Sequence, residues 1–197
     1  MQPSEGEDQM LRESIETARR VLESLEKRQP QIEEAVQAIL NAFRTGNKVL
    51  VCGNGGSACD ASHLAAELVG HYKIERPALP AVSLSSDGPL LSCLGNDFAF
   101  EDIFARQVEA LGNRGDVLIA FTTSGNSRNV VRAIEAAVRM GVISIAFLGA
   151  GGGLARGLAN VEILVESQET ARIQEAHLFL LHVLMDGVEQ GLTEVRE

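Results

Sequence analysis

Two kinds of hydrophobic spacing alternate along this chain. Leu11, Ile15, Ala18, Leu22 and Leu25 recur at steps of three or four residues, which is one apolar stripe of a helix. Pro30 opens a second helix with Ile32, Ala35, Val36, Ile39, Leu40 and Phe43 on one face, and Gly46 closes it. The pattern then switches. Residues 48–52 form a short, nearly continuous apolar run, as expected of a strand buried on both faces. Residues 53–57 follow and lead into a helix ending near Gly70. Further strands are predicted over 81–84, 116–122, 142–148 and 161–165. Helices are predicted over 101–111 and 129–140, then a short one after the glycines Gly149, Gly151, Gly152 and Gly153, and a long one over 170–190.

Short apolar strands alternating with helices predict an α/β fold, a doubly wound five-stranded parallel sheet flanked by helices, preceded by two N-terminal helices. Residues 1–9 read as a disordered polar tail and 10–197 as one domain. Sheets of this kind bind ligands beyond the carboxyl ends of their strands. The loops after Cys52, Leu84, Thr122 and Leu148 are therefore the ones that matter.

Composition narrows the field. A content of 45% hydrophobic and 22% charged residues is that of an ordinary globular protein, so disorder is excluded. No apolar run is long enough to span a membrane. The first residues lack the basic and apolar regions of a secretion signal, which makes the cytoplasm the expected location. The net charge of −10 leaves no basic surface for nucleic acid. An anion must then be bound locally, by backbone N–H groups and hydroxyls. Cys52, Cys59 and Cys93 form no CxxC pair and read as buried reduced thiols.

Two loops could hold a phosphate. Cys52-Gly53-Asn54-Gly55-Gly56-Ser57 runs directly from strand to helix, where glycines let a backbone approach an anion and the helix offers free N–H groups. It matches neither GxGxxG nor a P-loop. Thr122-Thr123-Ser124-Gly125-Asn126-Ser127 offers hydroxyls and amides at another strand end. Each alone is equally a tight turn or a Ser/Thr-rich helix cap. Two at neighbouring strand ends favour a ligand.

His63 and Glu67 stand four apart, on one face of a helix. They could ligate a metal, act as acid and base, or form a solvated pair. The last helix carries Gln174, Glu175, His177 and His182 among apolar residues. Gln174 and His182 are separated by roughly 12 Å of helical rise. Either they reach toward each other along the helix or different subunits supply them to one site. His177 alone reads as a core histidine.

Gly53-Asn54-Gly55-Gly56-Ser57, His63-Leu64-Ala65-Ala66-Glu67, Asn96-Asp97, Thr123-Ser124-Gly125-Asn126-Ser127 and Arg172-Ile173-Gln174-Glu175 with His182 together resemble the phosphoheptose isomerases. These are a branch of the sugar isomerase (SIS) fold. The resemblance implies conversion of sedoheptulose 7-phosphate to D-glycero-D-manno-heptose 7-phosphate, for lipopolysaccharide or other surface polysaccharide. It implies a homotetramer with sites at subunit contacts, and zinc held by His63, Glu67, Gln174 and His182. It implies substrate contacts at Asn54, Gly55, Gly56, Ser57, Glu67, Asn96, Asp97, Thr122, Thr123, Ser124, Ser127 and Gln174. Glu67 and His182 become the acid–base pair of an enediol mechanism. Three positions depart from the family pattern: Ala58 stands where members carry histidine, Ala171 where some carry aspartate, and Thr122 where members carry serine, which keeps the hydroxyl. The rival readings are a non-enzymatic SIS protein that regulates the replication initiator, and an isomerase or sensor for another phosphosugar.

Overall fold

The computed structural model describes residues 5–193, with side chains from Gln9 onward. The first helix, α1 (Glu5–Ser24), begins inside the stretch expected to be a tail. Residues 1–4 of that tail, and 194–197 of the expected domain, lie outside the described residues. A 3-10 turn over Leu25–Arg28 joins α1 to α2 (Gln29–Arg44), with proline in the opening turn of α2. There follow β1 (Val49–Gly53), α3 (Gly56–Val69), β2 (Ala81–Ser83), α4 (Gly88–Asp97), α5 (Ala105–Leu111) and β3 (Val117–Thr122). The chain continues with α6 (Arg128–Met140), β4 (Ile143–Leu148), β5 (Val161–Leu164) and α7 (Thr170–Thr193).

The five strands pair in parallel in the order β2-β1-β3-β4-β5. Chain direction across the sheet reverses between β1 and β3, and a crevice opens there at the carboxyl ends. Two glycines time the entry into strands. Gly46 (φ 78°) ends α2, with its N–H on Phe43 O at 3.1 Å and the Asn47 N–H on Ala42 O at 2.9 Å. Gly141 (φ 74°) ends α6 in the same way, its N–H and that of Val142 returning to Val138 O and Ala137 O. Both are left-handed turns that a side chain would strain.

Strand alternation divides the core. Val49, Val51, Ile119, Phe121, Ile145, Phe147 and Ile163 face a layer built from α1, α2, α3 and α7. Leu50, Cys52, Leu118, Ala120, Ala146 and Leu148 face α4, α5 and α6. Each of these larger side chains contributes roughly 1.5–3 kcal/mol by leaving water. One helix was not expected. Between β2 and the predicted helix over 101–111 lies α4, capped by Asp87, whose carboxylate accepts from Leu90 N at 2.9 Å. The predicted 101–111 helix is itself two pieces, a 3-10 turn over Phe100–Asp102 and α5. The cysteines are free, but only Cys52 is buried; Cys59 and Cys93 are exposed on α3 and α4. No helix among the described residues is long and apolar enough to cross a membrane.

Candidate active site

The rim of the sheet is built by three loops tied to one another. After β1, Gly55 adopts φ 55° to turn the chain into α3, whose first residue is then free of any side-chain cap. After β2, the Ser85 hydroxyl donates to Gly53 O (2.8 Å) and accepts from Gly53 N (3.2 Å). After β3, buried Thr122 accepts from Gly125 N at 3.1 Å and lies 3.5 Å from the Ser127 hydroxyl. The Ser124 hydroxyl accepts from Asn126 N at 3.1 Å. Gly125 is left-handed (φ +66°) and sits against the backbone of Gly152, so the glycine cluster supports this loop from behind. Asn54 and Asn129 join the first and third loops by exchanging two amide bonds of 2.8 Å. The N-termini of α3 and α6 thus open side by side without side-chain caps, a setting suited to an anion.

Asn54, Gly55, Gly56, Ser57, Thr122, Thr123, Ser124 and Ser127 are therefore gathered on one rim. Asn96 and Asp97 lie at the exposed end of α4, where Asn96 Nδ2 donates to Asp97 Oδ1 at 2.8 Å and Cys93 Sγ lies 3.5 Å from Asp97 Oδ2.

The second group of residues lies in the seam between α3 and α7. His63 Nε2 and Glu67 Oε1 are 3.0 Å apart. The His182 ring meets His63 edge-on, with centroids 5.1 Å apart. Its plane lies nearly parallel to Tyr72 (11°), at 5.6 Å. Gln174 is elsewhere: a Cβ on Gly56 would run into its amide. Gly56 meets Gln174, and seven residues further along α3 His63 meets His182, so the two helices run side by side in the same direction. Within one chain Gln174 and His182 do not converge, so the first of the two readings, a reach along the helix, does not hold, and a four-residue metal set would draw Gln174 from another copy. Gln174 belongs to the rim, and His63, Glu67 and His182 form a cluster about 10 Å further along α3. Among the described residues no three His, Cys, Asp or Glu side chains are gathered tightly enough to hold a metal ion. The donor types in the cluster, two imidazoles and a carboxylate, are those zinc prefers, and His63 and Glu67 already face each other.

Other polar groups in this layer escaped the sequence reading. Asp60 is buried three residues before His63, and its Oδ2 has no hydrogen-bond partner. Burial pushes its carboxyl up to about 6, against a smaller opposing pull from His63. A lone carboxylate beside Ala61 and Leu64 on an inward face was the available signal. Arg76 and Glu189 form a buried ion pair, Nε to Oε1 3.1 Å, whose side chains are 3% and 5% exposed. Nothing local announced it, since 113 residues separate the partners. His177 is fully buried 5.9 Å from both Phe121 and Phe147, with neither ring nitrogen hydrogen-bonded. Burial lowers it to about 4, with a weaker upward pull from the Leu148 backbone, so it is a neutral core residue as read.

Comparisons with known proteins agree with this architecture. The SIS domain family model matches residues 14–149. A phosphoheptose isomerase of Helicobacter pylori (strain P12) is 46% identical over 167 residues, 85% of this chain and 87% of that protein. One of Aquifex aeolicus is 52% identical over 164 residues, 83% of this chain and 86% of the relative. The structure of a Neisseria gonorrhoeae phosphoheptose isomerase superposes with a TM-score of 0.85 at 38% identity, covering 93% of this chain and 98% of that one.

Proposed function

Because the chain belongs to the phosphoheptose isomerase family of SIS-domain proteins and is a phosphosugar isomerase, we propose that it converts sedoheptulose 7-phosphate to D-glycero-D-manno-heptose 7-phosphate in the cytoplasm, supplying heptose for surface polysaccharide. One observation carries the reading. A carboxylate and two imidazoles, Glu67, His63 and His182, meet where α3 and α7 run together, and the carboxyl end of the sheet presents a hydroxyl-lined rim with the open N-termini of α3 and α6.

The chemistry assigned to these groups is proton transfer. The phosphate is held by Thr122, Thr123, Ser124 and Ser127 and by the N–H groups of α6, far from the reacting carbons. Asn54 to Ser57, Asn96, Asp97 and Gln174 bind the sugar chain. Glu67 removes a proton from C1 while His182 gives one to the oxygen on C2, forming the enediol. The proton on the C1 oxygen then returns to His182, and Glu67 delivers its proton to C2. Phosphate binding orients C1 over Glu67, so affinity remote from the chemistry is used for rate. Zinc would be held only once His63, Glu67 and His182 draw closer than they stand in the single chain and Gln174 of a neighbouring copy joins them; bound there, it would polarise the sugar carbonyl.

The site is shared between copies in this proposal. Glu67 lies eleven residues beyond Gly56 on α3, about 16 Å of rise. An extended heptose phosphate reaches only about 10 Å from phosphorus to C1 at roughly 1.3 Å per bond. A rim from one copy and a Glu67 cluster from another would remove this mismatch, and Gln174 would then join the cluster of a neighbour. Apolar surface near the seam supports association in a homotetramer: Leu11 and Ile15 on α1, Val69 on α3, and Leu178 and Phe179 on α7 are all exposed.

The test is to follow sedoheptulose 7-phosphate by NMR in deuterated water, with and without zinc. Aldoheptose phosphate carrying solvent deuterium, lost in Glu67→Gln and His182→Ala, is expected. No product and no exchange at C1 in either condition would defeat the assignment and redirect the search to other phosphosugars.

A further inference from the structure

His182 is held by a ring, and that ring is held by a buried strap. Tyr72 lies in the connection between α3 and β2, with its ring plane 11° from that of His182 and the centroids 5.6 Å apart. This is within the range for offset stacking. The backbone of the connection is fixed by Glu189 of α7. Its carboxylate accepts from the N–H groups of Tyr72 (3.1 Å), Lys73 (2.9 Å) and Ile74 (3.1 Å), and from Arg76 Nε (3.1 Å). Four donors to one buried carboxylate leave the segment little freedom. Arg76 completes the strap on the other side. Its guanidinium donates to Glu67 O (2.6 Å) and Leu68 O (2.9 Å), at the last turn of α3. Lys73 adds an outer tie, with Nζ 2.6 Å from Asp186 and 4.9 Å from the Tyr72 ring centre.

One ion pair therefore reaches both residues assigned to proton transfer. Arg76 grips the backbone of Glu67 itself, and Glu189 presents Tyr72 to His182. We propose that Tyr72 is a positioning residue, which sets the plane of the His182 imidazole against His63, the ring that faces Glu67, with the Arg76–Glu189 pair as its anchor. The role belongs to the ring and not to the hydroxyl. The inference rests on the isomerase reading for its effect on rate, but the stacking has its own readout.

The first measurement is kinetic. Tyr72→Leu keeps apolar bulk and removes the ring; kcat is expected to fall by about 10- to 100-fold, the cost of a reacting group slightly out of place, with KM within about threefold. Tyr72→Phe keeps the ring and is expected to restore kcat to within about threefold of the natural protein. Tyr72 is half-buried against the core, so the melting temperature should fall modestly in Tyr72→Leu, and kinetics are read well below it, where all three proteins are folded. The second measurement is of the imidazoles by NMR in selectively labelled protein, which has only four histidines. The His182 ring signals should move in Tyr72→Leu and stay in Tyr72→Phe. An unchanged kcat in Tyr72→Leu would overturn the proposal, as would an equal loss in Tyr72→Phe or unmoved His182 signals. Absence of isomerisation in the natural protein would instead strike the isomerase reading, and the NMR comparison would still decide whether Tyr72 sets the ring.

Discussion

Replacing Asp60 by asparagine should make the protein more stable at neutral pH, with a gain that disappears in acid. Asp60 is 5% exposed, and its Oδ2 has no partner. In the unfolded chain this carboxyl releases its proton near 3.8, whereas in the fold burial holds the proton up to about 6. Between those values the folded state binds more protons than the unfolded state, so stability falls as pH rises through the window. A displacement of about two units at roughly 1.4 kcal/mol each caps the cost at about 3 kcal/mol above pH 6. Asparagine has the same shape and no titration, but its buried amide also lacks a partner and costs about 1–2 kcal/mol. The variant should therefore match or slightly trail the natural protein at pH 4 and exceed it by about 1–2 kcal/mol at pH 7.5. Urea unfolding at several pH values, with chelator and at equal protomer concentration, reads the difference. A difference that is flat with pH, or that grows toward acid, would refute the reasoning and point to a cation facing Asp60. His63 gives an internal control: His63→Ala removes the one opposing charge and should lift the Asp60 transition further.

Four further outcomes are expected. Gly125→Ala places a side chain at φ +66° and into the Gly152 backbone, so thermal unfolding should show a loss of about 1–3 kcal/mol or more, together with a raised KM for phosphosugar. Gly56→Ala meets only the end of Gln174, which can swing aside; unfolding should change by under about 1 kcal/mol while KM rises in the isomerase assay. Arg76→Ala leaves the Glu189 carboxylate buried without its cation and should cost about 3–5 kcal/mol in urea unfolding. Burial pushes Glu189 up, yet its backbone donors and Arg76 together bring it below its ordinary value of 4.5. Its stabilisation is thus complete above pH 4.5 and is lost as pH falls through the folded value; protection of amides 72–74, relative to their intrinsic exchange rates, should fall there and not at pH 6.

What the chain disclosed in advance was local. Strands β1, β3 and β4 announced themselves because burial on both faces demands unbroken apolar runs, and α2 because Pro30 and Gly46 bracket its stripe. The helix α4 was passed over because it opens on Gly88-Pro89 and carries Gly95 inside, signals that ordinarily mark a loop. The rim residues were readable because strand ends and glycines locate such loops. The arrangement of Gln174 and His182 was not, since it depends on α7 lying parallel to α3, more than a hundred residues away. For the same reason Tyr72, Arg76 and Glu189 had no sequence signature. Their meaning comes from whom they touch.

The exchanged amide bonds between Asn54 and Asn129 carry a thermodynamic consequence. Each amide gives one bond to the other, and Asn129 Oδ1 also accepts from Val130 N, so the pair holds together without water or ligand. The loops of β1 and β3 are thereby ordered before any sugar arrives, and their conformational entropy is spent during folding instead of during binding. A phosphosugar then meets a rigid rim, and amide exchange at the starts of α3 and α6 should change little when it binds. The freedom left for substrate to remove is then its own and that of side chains outside the two loops, such as Gln174 and Asn96.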